Sequence, residues 1–286
     1  MGTPDRLASP ASIPLRRIRG RVLLYTNPMC IKEIAGGIKM KIKEIHAKNI
    51  LSKSKVFDYA LNPYVGCEHA CLYCYAKFMK RFTGHREGWG QFVDAKINAP
   101  ELLNKEIKKK RAGRVWISGV CDPYQPVEEK YGLTRMCLKV LIENDWPVTI
   151  QTKSPLVLRD LELLKISREV EVGFTVTTAD EGVREIFEPK APPIKERILA
   201  LARMHSEGIT TFAMIAPLLE GVEGLASGLK GRVDYVLIDR MNYHYADWVY
   251  RKFGMEWARE DEFFIQKGKE MMESFEKAEI PSQSLY

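Results

Sequence analysis

The sequence predicts an α/β fold of the partial (β/α)6 TIM-barrel type, with a strand-rich N-terminal extension and a long C-terminal helix. Two observations carry this. Short apolar, β-branched runs alternate with helix-period segments about six times, and a strand–helix repeat of that kind builds a parallel sheet that closes or nearly closes. No G-x-G-x-x-G follows a first strand, which counts against a doubly wound open sheet.

In chain order, residues 1–20 carry Pro4, Pro10 and Pro14 with little periodicity, and read as a flexible tail or as sequence upstream of the true start. Residues 21–55 form the N-terminal extension, because Arg21–Thr26 and Ile38–Ala47 are β-branched and alternating; its expected role is to cover one end of the main domain. Residues 56–286 form the core. A first strand precedes Cys67, then come strand Arg114–Gly119, helix Gly132–Asn144, strand Pro147–Thr152, helix Leu156–Ile166 and strand Val170–Thr177. Helix Pro193–Glu207, strand Thr210–Ala216, a helix around Gly224–Leu229, strand Tyr235–Asp239 and a C-terminal helix around Arg259–Ala278 complete it.

Composition bounds the function. With 45% hydrophobic and 28% charged residues, the 286-residue chain has an ordinary globular make-up, neither disordered, collagen-like nor coiled coil. No apolar run approaches the ~20 residues that span a bilayer, so no membrane partner is expected. Arg16, Arg17 and Arg19 lack the apolar stretch of a secretory or twin-arginine signal, and the expected address is cytoplasmic. Residues 1–112 hold 22 Lys/Arg against 9 Asp/Glu, whereas 113–286 hold 22 against 28. A basic first third attracts a phosphate backbone or a cofactor phosphate, making nucleic acid a candidate partner, although a solvated Lys-rich face looks the same.

The strongest local signal is Cys67-Glu68-His69-Ala70-Cys71-Leu72-Tyr73-Cys74, a C-x3-C-x2-C spacing. Three thiolates on one tight loop can hold three corners of a cubane iron–sulfur cluster and leave the fourth iron without a protein ligand. A structural zinc site prefers two separated C-x2-C pairs, and His69 falls at a spacing that matches no common finger. An electron-transfer cluster needs a fourth ligand at a regular step, and the next cysteine, Cys121, comes 47 residues after Cys74.

C-x3-C-x-aromatic-C, with Tyr73 as the aromatic, resembles the signature of the radical S-adenosylmethionine superfamily, and its place after a first strand fits that family's partial barrel. The resemblance implies a [4Fe-4S] cluster on Cys67, Cys71 and Cys74, whose open iron chelates S-adenosyl-L-methionine. It also implies an external one-electron donor of the ferredoxin or flavodoxin type and a 5′-deoxyadenosyl radical that abstracts hydrogen from a substrate. A second segment, Ser118-Gly119-Val120-Cys121-Asp122-Pro123-Tyr124-Gln125-Pro126, lies at a strand's C-terminal end, where barrel enzymes place their chemistry. Together with Asn62-Pro63-Tyr64, Gln151-Thr152-Lys153-Ser154, Thr175-Val176-Thr177-Thr178 and Glu188-Pro189, it is similar to the spore photoproduct lyase-like family, from about Ile50 to Asn242.

By that resemblance Lys153 corresponds to a lysine that meets the cofactor carboxylate, Thr175 to a hydroxyl contact and Cys121 to a cofactor-contacting serine. The family's hydrogen-donating cysteine falls one residue earlier, on Val120 here. Tyr73, Cys121, Asp122, Lys153 and Thr175 are therefore candidate cofactor contacts, and Cys121 is also the candidate catalytic residue, because a thiol can quench a carbon radical. Plainer readings stand beside these: Lys153 as a solvated strand-end lysine, Thr175 as packing, Cys121 as an inert buried thiol. Asp122 and Glu128 hold either the loop or the cofactor amine, and Glu188-Pro189 ends a helix. Cys30 and Cys137 are structural, the latter on an apolar helix face with Leu133, Met136 and Leu141. Tyr243-His244-Tyr245 is either a substrate-facing aromatic segment or core. The implied substrate is a nucleic-acid base; modification of RNA, a peptide or a small metabolite is the alternative, and a non-catalytic iron–sulfur or zinc nucleic-acid-binding module the alternative of another class.

Overall fold

The computed structural model of the chain describes residues 16–18, 21–23 and 40–286. The chain divides into two units, Met1–Ile38 and Lys39–Tyr286. In the first, β1 (Arg16–Ile18) pairs antiparallel with β2 (Arg21–Leu23). Cys30 and most of the expected tail lie outside the described residues.

The second unit is built on two sheets. Its strands are β3 (Lys41–Ile45), β4 (Leu51–Lys53), β5 (Tyr59–Leu61), β6 (Tyr64–Val65), β7 (Phe92–Lys96), β8 (Val115–Ile117), β9 (Val148–Thr152), β10 (Val170–Thr175), β11 (Thr210–Ile215), β12 (Tyr235–Ile238) and β13 (Ser282–Ser284). The large sheet runs β13-β12-β11-β10-β9-β8-β5-β4 and does not close on itself. Every pair from β5 to β13 is parallel and β4 alone is antiparallel, so the six expected strands β5, β8, β9, β10, β11 and β12 form a partial barrel with a short strand added at each edge.

The helices are α1 (Ala99–Ile107), α2 (Val127–Tyr131), α3 (Leu133–Ile142), α4 (Leu161–Leu164), α5 (Glu181–Phe187), α6 (Ile194–Ser206), α7 (Leu225–Leu229), α8 (Asp247–Lys252) and α9 (Asp261–Lys277). α6 shows why they form: Ile194, Arg197, Ala200, Leu201 and Met204 make one buried stripe facing β10 and β11. In α3 the buried face is Leu133, Cys137, Leu138 and Leu141, while Met136, expected on it, is 44% exposed because it falls off that stripe. The expected helix Leu156–Ile166 is instead a 3-10 turn, Pro155–Asp160, followed by the single turn of α4. Ser154 caps its start by accepting from the Leu156 amide at 3.3 Å, and the buried Asp160 carboxylate pins its end to Tyr124, Arg135 and Arg159.

The second sheet, β3-β7-β6, bears directly on the cysteine loop. β3 runs parallel to β7, and β7 pairs antiparallel with β6, which leads straight into Gly66 and Cys67. Residues of the expected N-terminal extension thus supply one strand beside the loop and, as β4, the edge of the large sheet.

Candidate active site

The loop begins at a turn that only glycine fits. Gly66 has φ +91°, and a Cβ there would lie 2.3 Å from the Phe92 carbonyl oxygen. Gln125 then clamps it from the loop after β8: its Nε2 donates to the Gly66 carbonyl at 3.1 Å, and its Oε1 accepts from the Glu68 amide at 2.9 Å. Glu68 returns the tie by accepting from the Val127 amide at 2.5 Å. On the far side the Leu72 amide donates to the Phe187 carbonyl at 2.8 Å and the Lys190 amide to the His69 carbonyl at 3.3 Å. The loop is therefore fixed between the C-terminal end of β8 and the end of α5.

Cys67 and Cys71 are buried and Cys74 is half-buried. Burial pushes all three thiols up, Cys71 to about 12, and the neighbouring cysteines add to the rise at Cys67 and Cys71. Among the described residues no three His, Cys, Asp or Glu side chains converge to hold a single metal ion. A four-iron cubane is a larger body, which takes its thiolates at separate corners rather than around one centre. Three adjacent soft donors on a loop fixed at both ends suit it, and this donor set fits that group better than zinc.

Asp122 is the organiser of the next layer. Its Oδ1 accepts from the Tyr124 amide at 2.9 Å and from the Thr152 hydroxyl at 2.7 Å, and its Oδ2 accepts from the Lys153 amide at 2.8 Å. His69 Nδ1 lies 3.3 Å from Oδ2 without hydrogen-bond alignment. Burial alone would raise this carboxyl, but His69 and the donors hold it down at about 2. Asp122 thereby joins the loop after β8 to the end of β9. Glu128 does similar work: fully buried, it accepts from the Tyr64 hydroxyl at 2.5 Å, the Thr134 amide at 2.9 Å and Arg159 at 2.7 Å, so it holds the loop.

Lys153, at the end of β9, is not a solvated strand-end lysine, for its side chain is 14% exposed. Its Nζ lies 3.9 Å from Glu188 Oε1 and 5.7 Å from the centre of the Tyr73 ring. Burial lowers its pKa, but Cys71, once it is a thiolate, and the Glu188 carboxylate more than offset this, so the ammonium is retained. The Tyr73 hydroxyl donates to Glu188, and the Thr175 hydroxyl, buried, accepts from Gln151 Nε2 at 3.2 Å.

Two further residues are central to this cluster: Glu188, which the sequence marks only within a resembling string and as a helix end, and Arg197, to which it assigns nothing. Glu188 does follow the last turn of α5, as expected, but its carboxylate is fully buried and also gathers Thr177 at 3.1 Å and Arg197 at 2.5 Å. Burial would raise it, yet Arg197, Lys153 and Tyr73 hold it at about 2. Arg197 is itself fully buried, and its guanidinium donates to the Thr175 carbonyl at 3.1 Å. The available signal is its position: a charged residue inside the apolar stripe of α6 needs a buried partner.

The structure thus gathers Cys67, Cys71, Cys74, Tyr73, Asp122 and Lys153, with Thr175 one layer below. Cys121, next to Asp122 in the loop after β8, packs on the smaller apolar cluster of Tyr64, Val93, Ala95, Val127 and Leu133. Burial pushes its thiol up to about 12 against the opposing effects of Ser118 and Lys96. Tyr243, His244 and Tyr245 are exposed rather than core.

Comparison with known proteins bears on the family and the fold. The sequence profile of the Radical SAM superfamily matches residues 61–223, which includes all three loop cysteines and Lys153. An uncharacterised protein of Methanocaldococcus jannaschii is 38% identical over 184 residues, 63% of this chain and 69% of that protein. A Radical SAM Nalpha-GlyT isomerase of Pseudomonas phage M6 is 24% identical over 162 residues, 56% of this chain but 33% of the isomerase. A spore photoproduct lyase variant with bound AdoMet and dinucleoside spore photoproduct has the same fold, with a TM-score of 0.62 at 14% identity over 86% of this chain and 81% of the lyase. With more than half of its length matched by the profile, the chain belongs to the Radical SAM superfamily.

Proposed function

We propose that this chain is a radical S-adenosylmethionine enzyme that acts on a nucleic-acid base. The observation that carries the reading is a fixed loop of three buried or half-buried thiols at the C-terminal ends of the parallel strands, beside a lysine kept charged in a nearly dry setting. Cys67, Cys71 and Cys74 would hold a [4Fe-4S] cluster, and Lys153 would meet the carboxylate of S-adenosylmethionine. When bound, and given one electron from an external donor, this pair supplies a 5′-deoxyadenosyl radical able to abstract hydrogen.

The chain's own contribution is placement and exclusion. Asp122 fixes the Lys153 backbone, and Glu188 with Tyr73 flanks its ammonium. The burial of Cys67, Cys71, Tyr73 and Lys153 would keep water and stray hydrogen donors from a reactive carbon radical. Support for a base as substrate comes from the fold neighbour that binds a dinucleoside spore photoproduct. Cys121 keeps its proton at neutral pH, so it presents a weak S–H bond rather than a thiolate.

Anaerobic reconstitution, followed by incubation with S-adenosylmethionine and dithionite, tests the reading. One four-iron cluster per chain and release of 5′-deoxyadenosine are expected, and Ala at Cys67, Cys71 or Cys74 should abolish both. A triple Ala variant that still held four irons would remove the basis of the proposal, and a cluster without any 5′-deoxyadenosine would favour the non-catalytic binding module. For Cys121, a Ser variant with the same products assigns cofactor contact, whereas normal cleavage with shifted products assigns hydrogen donation.

A further inference from the structure

Immediately after Cys74 the chain turns outward along a 3-10 helix, Tyr75–Phe82, that carries a pattern the cluster chemistry does not need. Residues 75–86 read Tyr-Ala-Lys-Phe-Met-Lys-Arg-Phe-Thr-Gly-His-Arg, with four Lys/Arg, three aromatics and no acid. The Tyr75 hydroxyl donates to the Gly119 carbonyl at the C-terminal end of β8, while its ring stacks on Tyr243 from the loop after β12, at 5.8 Å and 22°. Tyr243 in turn stacks on Tyr245 at 6.0 Å and 25°. These are offset-stacked spacings. The ladder starts one residue from the third cysteine and leads outward, and its outer rings are 50% and 39% exposed at Tyr243 and Tyr245.

Beside the ladder lies an open cleft of about 580 Å³ lined by Lys77, Phe78, Lys80, Arg81, His85 and Tyr245. Its cations are available. Lys77 and Lys80 donate to backbone carbonyls, those of Leu72 and Arg86, Lys77 also lies over the Tyr245 ring at 5.6 Å, and Arg81 rests on the faces of Phe78 and Phe82; none has a carboxylate partner among the described residues. The nearby acids are already engaged: Glu87 pairs with Lys41 at 2.8 Å and His85 at 3.1 Å, and Asp247 with His244 at 2.7 Å and Arg259 at 2.9 Å. The surface is therefore cationic as well as aromatic.

We infer that the Tyr75–Tyr243–Tyr245 ladder and the adjoining Lys77–Lys80–Arg81 cleft form a binding site for single-stranded nucleic acid, which delivers an unpaired base to the barrel mouth. It rests on the proposed function for what happens at that mouth, not for the binding itself. Stacked rings beside unpaired cations are how sequence-tolerant single-strand sites are built: bases lie on the aromatic faces while phosphates meet the cations. A duplex hides its base faces within its own stack and leaves the ladder nothing to stack on. An acidic peptide would satisfy the cations but gives the three rings no use.

The test is fluorescence anisotropy on the anaerobically reconstituted protein, with a labelled oligothymidylate of about 12 nucleotides, the corresponding duplex and a poly-glutamate peptide as probes. The single strand should bind at least about ten-fold more tightly than the duplex. Tyr243→Ala and Tyr245→Ala should each weaken it by about 5- to 100-fold, while Tyr245→Phe, which keeps the face, should bind as the parent does. Replacing Lys80 and Arg81 by Ala should lower the salt slope of log Kd by about 0.7 for each phosphate no longer neutralised. Both tyrosines are exposed, and an unchanged melting temperature will show that the variants fold. Equal affinity for the duplex, tighter binding of the peptide, or Ala variants that bind as the parent would each overturn the inference. Its failure is separable from that of the proposed function: 5′-deoxyadenosine released with no single-strand binding sinks only the ladder, and binding without 5′-deoxyadenosine sinks only the radical chemistry.

Discussion

Lys153 illustrates how much of a residue's role is set by what lies around it. Burial lowers its pKa, but a Cys71 thiolate and the Glu188 carboxylate outweigh that, so in the proposed role it would meet a carboxylate without first acquiring a proton. Lys153→Ala should leave the iron content unchanged and weaken S-adenosylmethionine binding by about 2–5 kcal/mol, the usual cost of truncating one member of a poorly solvated charge pair. Lys153→Arg should rescue only in part, because a planar fork does not reproduce a compact point donor. Equilibrium dialysis of the reconstituted protein measures both; unchanged affinity in the Ala variant would reduce Lys153 to a structural partner of Glu188. Sequence context singled out Lys153, Asp122 and the three cysteines as candidates, because each sits in a recognisable local string. Arg197 has no such string, and its partner Glu188 lies nine residues away at the other end of the α5–α6 connection.

At the scale of elements, the cysteine loop depends on β6, β7 and the loop after β8 more than on its own residues. Gly66 separates two effects. Gly66→Ala combines an unfavourable φ of +91° with a Cβ 2.3 Å from the backbone of β7, so the loop must move. Gly84 has φ +71° with nothing within 4 Å of its would-be Cβ, and Gly84→Ala carries conformational strain alone. Gly84→Ala should therefore cost about 1 kcal/mol and keep its iron, whereas Gly66→Ala should cost more and fall well short of a full cluster after reconstitution. Iron and sulfide analysis beside thermal melts decides this, and full iron in Gly66→Ala would mean the turn is not what positions Cys67. The strand–helix series was legible because each segment carries its own period. The segment 156–166 was not, since its apolar pattern fits a helix but the tertiary ties of Asp160 tighten it into a 3-10 turn.

Over the whole molecule, buried charge is concentrated where few chains tolerate it, beside the C-terminal ends of the barrel strands. Glu188 and Asp122 both titrate at about 2 in the fold, below the roughly 4 of an unfolded carboxyl. A depressed carboxyl stabilises the fold fully above the unfolded value, and the contribution is lost as pH falls toward the folded value. Breaking the Glu188–Arg197 pair by Glu188→Gln should destabilise the protein by about 3–5 kcal/mol at pH 7, because it strands a buried guanidinium. The gap between parent and variant should narrow as pH drops from about 4 toward 2, where the parent loses the same interaction. Melting temperatures across that range provide the check; a gap that stays constant would show that Glu188 is not ionised in the fold.

The sequence by itself determined the superfamily, the barrel class and the cysteine loop. Period-2 and period-3.6 patterns specify strands and helices locally, and C-x3-C-x2-C packs three donors into eight adjacent residues. Only the tertiary structure decided that Cys121 packs on the cluster of Tyr64, Val93 and Leu133 and that Glu188 and Arg197 pair in the protein's interior. It also turned Tyr75, Tyr243 and Tyr245 into a continuous ladder. Those facts join residues far apart in the chain, and contacts between distant residues are fixed by how the strands stack around the barrel, which no local pattern records.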